Sequence, residues 1–415
     1  MRKFICILMA LLAIAGLVSS YVRFLEGMKV TNLTSSIPWG MWVVFYIYFV
    51  GLSAGSYLIS TLPYVFGFRR LERIGPLAIL CAILALVTGL VFIWMDLGHP
   101  FRFWKVITNF NYTSILAWEV ILYSLYLALL LVSFWFLKRC ELVSQAKYST
   151  GMKRVLAKFL SFSFSCPQTQ EQYQDCHLFS LNLVKYLGFI GIPLVLFVRG
   201  GTGALFAVVA SRPHWFSGLL PVMFLVSGLL SATAMLLFIH HFFSTEKERQ
   251  ENLPMVLILR NLLLLFLSIE TFLFASETLV GIYSKIPERL ELYHLVMFGP
   301  FPYIFWGGQL FLGLIIPVFL CSYKKTRRTS FWLSIAGLSC SCGVVSIILN
   351  LVIPAYVLPM LKGLDRAFID HRLIYFYFPS IIEWLSSFGL ISLVVLVFIY
   401  LVENLPVFSR TEIKF

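Results

Sequence analysis

The chain has 415 residues, 60% of them hydrophobic and only 12% charged, with 32 Lys and Arg against 19 Asp and Glu. A soluble domain carries about 25% charged residues, so this composition excludes a soluble globular protein and points to a chain embedded in a bilayer. The net charge of +13 does not indicate a nucleic-acid partner, because the basic residues fall between apolar runs, where membrane topology calls for them.

Ten runs meet the requirement of about 20 apolar residues for a membrane-crossing helix. In chain order they cover about 3–22, 39–63, 74–96, 114–137, 179–200, 215–240, 254–282, 299–321, 330–352 and 379–403. The runs are continuous rather than alternating, which predicts helices and not a barrel, since lipid cannot satisfy open backbone groups. Span 1 follows Arg2 and Lys3, as a signal peptide would. Its apolar stretch, Phe4 to Val22, exceeds the roughly 7–15 residues of a signal core, so it is predicted to be a retained helix. With the N-terminus inside, the inner segments hold 19 Lys and Arg and the outer loops 11. That bias predicts a multi-pass protein with both termini cytoplasmic.

Span 3 ends in Asp96-Leu97-Gly98-His99-Pro100, and Glu119 follows inside span 4. At 1.5 Å per residue, Glu119 lies roughly 7–8 Å deep. Ionisable groups at membrane depth are costly and usually face an interior, a cavity or a pathway. Asp96 and Glu119 are therefore candidates for proton exchange with a molecule dissolved in the bilayer. The blander account has Asp96 capping a helix or pairing with Arg102. Trp104, Tyr112 and Trp118 are near in sequence and are candidate walls of a quinone headgroup pocket; the alternative is an interfacial aromatic belt.

Spans 4 and 5 are separated by the longest break, about 138–178, a basic polar loop that divides the chain into near halves. It reads as a solvated linker touching anionic headgroups, with a docking site for a cytoplasmic protein as the alternative. Cys140, Cys166 and Cys176 share this loop, but their spacing fits no zinc or iron–sulfur pattern, and the eight cysteines read as structural or incidental. Near the outer end of span 5, Gly200-Gly201-Thr202-Gly203 follows Arg199. No strand or Walker lysine accompanies it, so a tight turn or close packing is the better account than a phosphate cradle.

Span 6 brings a faint repeat. A shift of 176 residues carries Trp39 to Trp215, Gly51 to Ser227 and Gly55 to Ser231; small residues four apart allow close helix packing. Both spans would start outside, so the repeat is parallel. The predicted fold is an all-α polytopic membrane protein of two four-helix bundles, spans 2–5 and 6–9, plus two peripheral helices. The corresponding segments are 1–37, 38–210, 211–360 and 361–415. Span 7 carries Glu270 and Glu277, seven residues apart and so on one helix face. They are candidates for a proton path or second polar cavity, against the alternative of satisfied core carboxyls. Glu383, just inside span 10, reads as an interfacial residue.

The seven histidines are His99, His177, His214, His240, His241, His294 and His371, none near the middle of a span. No haem is expected, nor an iron–sulfur cluster or other metal. A redox role would rest on a bound organic carrier.

Several segments together resemble the NrfD/polysulfide-reductase membrane subunit family. They are Pro38-Trp39-Gly40 leading into Gly51-Leu52-Ser53-Ala54-Gly55, Asp96-Leu97-Gly98-His99-Pro100 with Arg102-Phe103-Trp104, and Asn111-Tyr112-Thr113-Ser114 with Trp118-Glu119. Further along come Gly200-Gly201-Thr202-Gly203, Arg212-Pro213-His214-Trp215, Asn350-Leu351-Val352-Ile353-Pro354, and Tyr377-Phe378-Pro379-Ser380 with Glu383-Trp384. The length resembles the ten-helix branch with the hydrogenase-2 and DsrP/Hmc-type quinone-interacting subunits. The resemblance implies two four-helix bundles without haem and a menaquinone or ubiquinone site near the outer face. It also implies a periplasmic iron–sulfur partner, with further redox subunits such as a cytochrome c, a molybdoenzyme or a hydrogenase.

The expected function is that of a quinone- or quinol-reactive subunit of a respiratory oxidoreductase. Asp96 and Glu119 would exchange protons, His99, Tyr112, Trp118 and Trp39 would contact the headgroup, and Glu270 and Glu277 would form a proton path. The rivals are a secondary transporter with proton-coupled carboxylates, and an inert membrane anchor of a redox complex.

Overall fold

The computed structural model describes residues 2–161, 170–359, 363–364, 370 and 373–406. Cys166 and His371 lie outside the described residues. Ten helices among the described residues are long and apolar enough to cross a membrane. They are α1 (Arg2–Glu26), α2 (Met41–Tyr64), α3 (Gly75–Asp96), α4 (Ile115–Tyr148), α5 (Gln170–Ala207), α6 (Leu220–Phe243), α7 (Leu253–Tyr283), α8 (Tyr303–Ser322), α9 (Ser330–Val352) and α10 (Ile381–Asn404). No strand occurs among the described residues. The all-α polytopic fold expected from the apolar runs is therefore found, each span within about five residues of its predicted place except at the C-terminal end of α4 and at both ends of α5.

α2 is the axis of the molecule. It is buried along nearly its whole length, so it has no face left for solvent or lipid, and it lies against α3, α5, α6, α9 and α10. Small residues make this crowding possible. A Cβ on Gly55 would lie 2.1 Å from the carbonyl oxygen of Gly228 in α6, and one on Gly228 would lie 2.9 Å from that of Gly51. The backbones of α2 and α6 thus touch directly. At the periphery α1 pairs with α10, where Gly16 meets the backbone of Gly389. The outward face of α1 carries Phe4, Ile7, Leu11 and Ile14, all exposed, as a face turned to lipid requires.

Within 138–178, the described residues at the start are more ordered and more buried than a solvated linker. α4 runs 34 residues and α5 38, so at 1.5 Å per residue both outrun a hydrocarbon core of about 30 Å. A short helix, Gly151–Leu160, folds back onto α4, where Trp135 Nε1 donates to the Leu160 carbonyl at 3.1 Å. Under this cover Lys138, Arg139 and Glu141 are buried, with Lys138 Nζ paired to Glu141 Oε2 at 2.8 Å. Lys153, Arg154 and Lys158, in contrast, are exposed, so the burial is confined to the charges at 138–141.

Candidate functional site

Glu119 projects from the second turn of α4 and is 2% exposed. Tyr123 lies one turn further on the same face, and the sequence spacing of four dictates that neighbourhood. The Tyr46 hydroxyl of α2 reaches Glu119 Oε2 at 3.2 Å and the Tyr123 hydroxyl at 2.6 Å; Tyr123 in turn reaches Thr202 Oγ1 of α5 at 3.1 Å. Thr202 Oγ1 also lies 3.1 Å from the Val198 carbonyl.

Each hydroxyl has a single proton to donate, so the direction of this network depends on Glu119. With Glu119 ionised, Tyr123 donates to Tyr46 and Tyr46 to Glu119, while Thr202 donates to either Tyr123 or the Val198 carbonyl. With Glu119 protonated at Oε2, donation runs from the acid to Tyr46, Tyr123, Thr202 and the Val198 carbonyl, and every bond is made. Proton gain at Oε2 therefore reverses the Tyr46 and Tyr123 hydroxyls. The other carboxylate oxygen, Oε1, is buried with no hydrogen-bond partner. It faces Gly201, where an added Cβ would sit 3.7 Å away, beside open space at Gly200. Oε1 is thus an unused acceptor facing helix backbone that carries no side chain.

Arg199, one turn before Thr202 on α5, is 1% exposed. Its Nε donates to the Phe224 carbonyl at 2.7 Å, one terminal nitrogen donates to the Ile47 carbonyl at 2.9 Å, and the other donates to Ser227 Oγ at 3.2 Å. The guanidinium lies over the Phe224 ring. Planar, multi-donor geometry suits arginine to such burial. The cation clamps α2 and α6 from α5 and lies within electrostatic reach of both Glu119 and Glu270.

Glu270 and Glu277 line one cavity of about 80 Å³ between α6, α7, α8 and α9, together with Arg199, His214, Gln309 and Asn350. Glu270 is 4% exposed, and its Oε2 has no hydrogen-bond partner. Asn350 Nδ2 donates to Gln309 Oε1 at 3.0 Å; Gln309 comes from Tyr303–Ile315, a wide π-helical stretch that opens α8. Glu277 sits nearer the rim, accepting from Ser217 Oγ at 2.9 Å, with Arg289 3.6 Å away. A second recess, walled by Arg212, His214, Glu288 and Glu291, adjoins the first through His214 and Leu292. Burial, and then the Arg289 guanidinium, push His214 down to about 4, so it stands neutral between the two at ordinary pH.

Asp96 ends α3 within electrostatic reach of Arg23 and Glu383 rather than pairing with Arg102, which is exposed. Arg23 of α1 donates to the Leu97 carbonyl and to Met28 Sδ. Asp96 Oδ1 is buried without a partner. Glu383 is not the interfacial residue expected but is fully buried. It closes a capping box with Ser380, and it accepts from Tyr377 at 2.5 Å and from the Asn32 amide at 3.0 Å. Burial and that carboxylate push the Tyr377 phenol up, so it remains a donor.

The aromatic and histidine candidates scatter. Trp39 is half-buried and stacks on Trp215 with centroids 6.1 Å apart, edge-on to Phe206 and Tyr356. Tyr112 is 78% exposed, and Trp118, Trp104 and His99 are also exposed; the Trp118 indole donates to the Tyr112 carbonyl. They ring the outer surface rather than enclosing Glu119. Sequence reasoning missed Tyr46, Tyr123, Thr202, Arg199 and Arg23. Tyr123 and Thr202 were findable from helical spacing to Glu119 and Arg199, whereas Tyr46 and Arg23 had no local signal. The glycine run at 200–203 is helical throughout; Gly203 serves close packing, with a Cβ there 2.6 Å from Pro221 Cα, whereas Gly200 and Gly201 are not crowded. Among the described residues, no group of three or more His, Cys, Asp or Glu is placed to hold a metal ion.

Ten apolar helices with acids and a guanidinium buried where they cross define a polytopic membrane protein whose interior carries ionisable groups, the mark of a functional site rather than of a passive span. The chain belongs to the NrfD polysulphide reductase family, whose model, described as "Polysulphide reductase, NrfD", matches residues 29–360. It is 41% identical to the C subunit of selenate reductase from Mesobacillus selenatarsenatis, over 99% of this chain and 96% of that protein. It is 27% identical to the Hdr-like menaquinol oxidoreductase integral membrane subunit of Archaeoglobus fulgidus, over 90% of this chain and 85% of the other. To the C polypeptide of polysulfide reductase from Wolinella succinogenes it is 24% identical over 69% and 83%. All three relatives are named as subunits of reductases or oxidoreductases, the Archaeoglobus one as an integral membrane subunit.

Proposed function

We propose that this chain is the quinone-reactive membrane subunit of a respiratory oxidoreductase. The observation that carries the reading is Glu119, buried with one free carboxylate oxygen at the head of a reversible hydroxyl chain, in a protein similar over most of its length to a menaquinol oxidoreductase subunit. A quinol held at Gly200-Gly201 supplies two electrons and two protons on oxidation. Glu119 Oε1 accepts one hydroxyl proton there, and the second is released to water at the rim that carries Asp96. A half-turn of the carboxyl then presents the bound proton to Tyr46, the Tyr46 and Tyr123 hydroxyls reverse to accept it, and Arg199 holds α2, α5 and α6 around the site. The reverse direction uses the same groups. Electrons pass to an iron–sulfur protein at the outer face, where the exposed ring of His99, Trp104, Tyr112 and Trp118 is available to headgroup and partner alike. Asp96, with Arg23, Glu383 and Tyr377, is a second acid at that rim.

The same reading places the chain in the bacterial inner membrane with both termini inside, as the basic bias supports. It also takes 38–210 and 211–360 as repeated bundles. The direct contact of α2 with α6 and the Trp39–Trp215 stack support that division. Glu270 and Glu277 serve as a proton path in the second bundle. Their cavity of about 80 Å³ has room for a few waters, as a proton path needs.

The direct test is quinone content. Protein purified with its native lipids should carry bound quinone, displaced by a quinone-site inhibitor at about one inhibitor per chain. Absence of both, with solute uptake by proteoliposomes holding this chain alone, would favour the transporter. A second expected result concerns Glu270. Glu270→Gln should bind a soluble naphthoquinol analogue with unchanged affinity while turnover falls about tenfold or more, the scale of a lost acid–base group. Equal turnover would remove Glu270 from the path.

A further inference from the structure

Cys140 and Cys176 take no part in the site above, and their spacing in sequence signals nothing. In the fold their sulfurs lie 3.0 Å apart, inside van der Waals contact and about 1 Å from the roughly 2.05 Å of a disulfide. Neighbouring bonds hold the two helices in this register. Arg139 Nε of α4 donates to Ser180 Oγ of α5 at 2.9 Å, and that hydroxyl donates to the Cys176 carbonyl at 2.7 Å. The Arg139 guanidinium lies over the rings of Trp135, Phe136 and Phe179. Cys140 is buried and Cys176 half-buried, so Cys176 is the sulfur that a small reagent meets first.

We propose that Cys140 and Cys176 are a redox-modification site that closes reversibly to a disulfide and fastens the inner ends of α4 and α5, with a low-molecular-weight disulfide as oxidant. The Cys176 sulfur attacks one sulfur of that disulfide; its S–S bond breaks, and one small thiol leaves with the Cys176 proton. The Cys140 sulfur then attacks Cys176 in the mixed disulfide and expels the second small thiol with the remaining proton. Two protein thiols are oxidised and one small disulfide is reduced to two thiols. The fastened helices are those that carry Glu119 and Tyr123 on α4 and Arg199 and Thr202 on α5, so closure restricts the pair that frames the hydroxyl chain. The proposal stands on the thiol geometry and does not depend on the quinone reading.

The test uses the full-length protein in detergent with oxidised glutathione as the probe, followed by denaturation, maleimide blocking, digestion and mass spectrometry. The expected result is a Cys140–Cys176 cross-linked peptide and two fewer maleimide adducts, both reversed by dithiothreitol. Cys140→Ser should leave Cys176 as a stable glutathione adduct. Oxidation should raise the Tm of the wild type by about 3 °C or more and leave the Cys140→Ser/Cys176→Ser double variant unmoved. A persistent glutathione adduct on wild-type Cys176, a link from Cys176 to Cys166 instead, or full alkylation of both thiols after the oxidant would each overturn the proposal.

Discussion

Replacing Glu119 with glutamine is expected to cut quinol oxidation about 100-fold or more, the scale of a lost general base, while the chain still assembles. The amide is nearly isosteric with the acid, and its oxygen still accepts from Tyr46. What it lacks is a site for the proton. The hydroxyl chain of Tyr46, Tyr123 and Thr202 is then frozen in one setting, because nothing at its head changes charge. The loss should fall on kcat, with affinity for a soluble quinol analogue within about twofold, since an interaction needed only in the reaction affects turnover rather than binding. The measurement is steady-state oxidation of that analogue by the purified complex, beside a binding titration. Turnover at the wild-type rate would remove Glu119 from the mechanism. Tight binding lost together with kcat would show that the carboxylate holds the ligand rather than its proton.

Gly55→Leu is expected to abolish a stable fold. Even a Cβ at that position would stand 2.1 Å from the Gly228 carbonyl oxygen, and neither side of the contact is a side chain that can turn aside. Overpacking commonly costs about 1–3 kcal/mol where neighbours can relax; backbone against backbone should exceed about 4 kcal/mol. The damage also reaches the site, because Arg199 bonds to Ile47 in α2 and to Phe224 in α6. Separating those helices breaks the clamp around Glu119 and strands a buried cation, which is itself costly. Fluorescence-detected size exclusion of the solubilised variant should show no monodisperse peak. Gly98→Ala serves as the contrast, since a Cβ there meets nothing within 4 Å, and it should behave as wild type. A well-folded Gly55→Leu protein would mean that α2 and α6 are not in direct contact.

The ten helices were legible in the sequence because the bilayer imposes a length and an apolarity that a single run must satisfy alone. Glu119 and Glu270 were legible for the same reason: a carboxyl inside such a run needs an explanation. Their partners were less so. Tyr123 follows from helical spacing, but Tyr46 is 73 residues from Glu119, and an apolar helix like α2 offers many tyrosines and no sign of which one turns toward the acid. Arg199 looked like a residue preceding a glycine run. Only the approach of three helices showed its donors committed to Ile47, Phe224 and Ser227. The charges of 138–144 misled in the opposite sense, because a charge run in sequence does not reveal that a later helix covers it.

Local chemistry alone thus determined that the protein lives in a membrane, where its helices run, and which acids lie at depth, since each of these depends on free energies of transfer that a single segment carries by itself. The tertiary structure decided which groups meet: Glu119 with a hydroxyl chain from two other helices, Glu270 with a cavity shared by four, Glu383 with a tyrosine and a loop amide, and two distant thiols in contact. Such meetings depend on how closely backbones approach, and that was set by glycines such as Gly55 and Gly228, whose importance lies in what faces them and not in what they are.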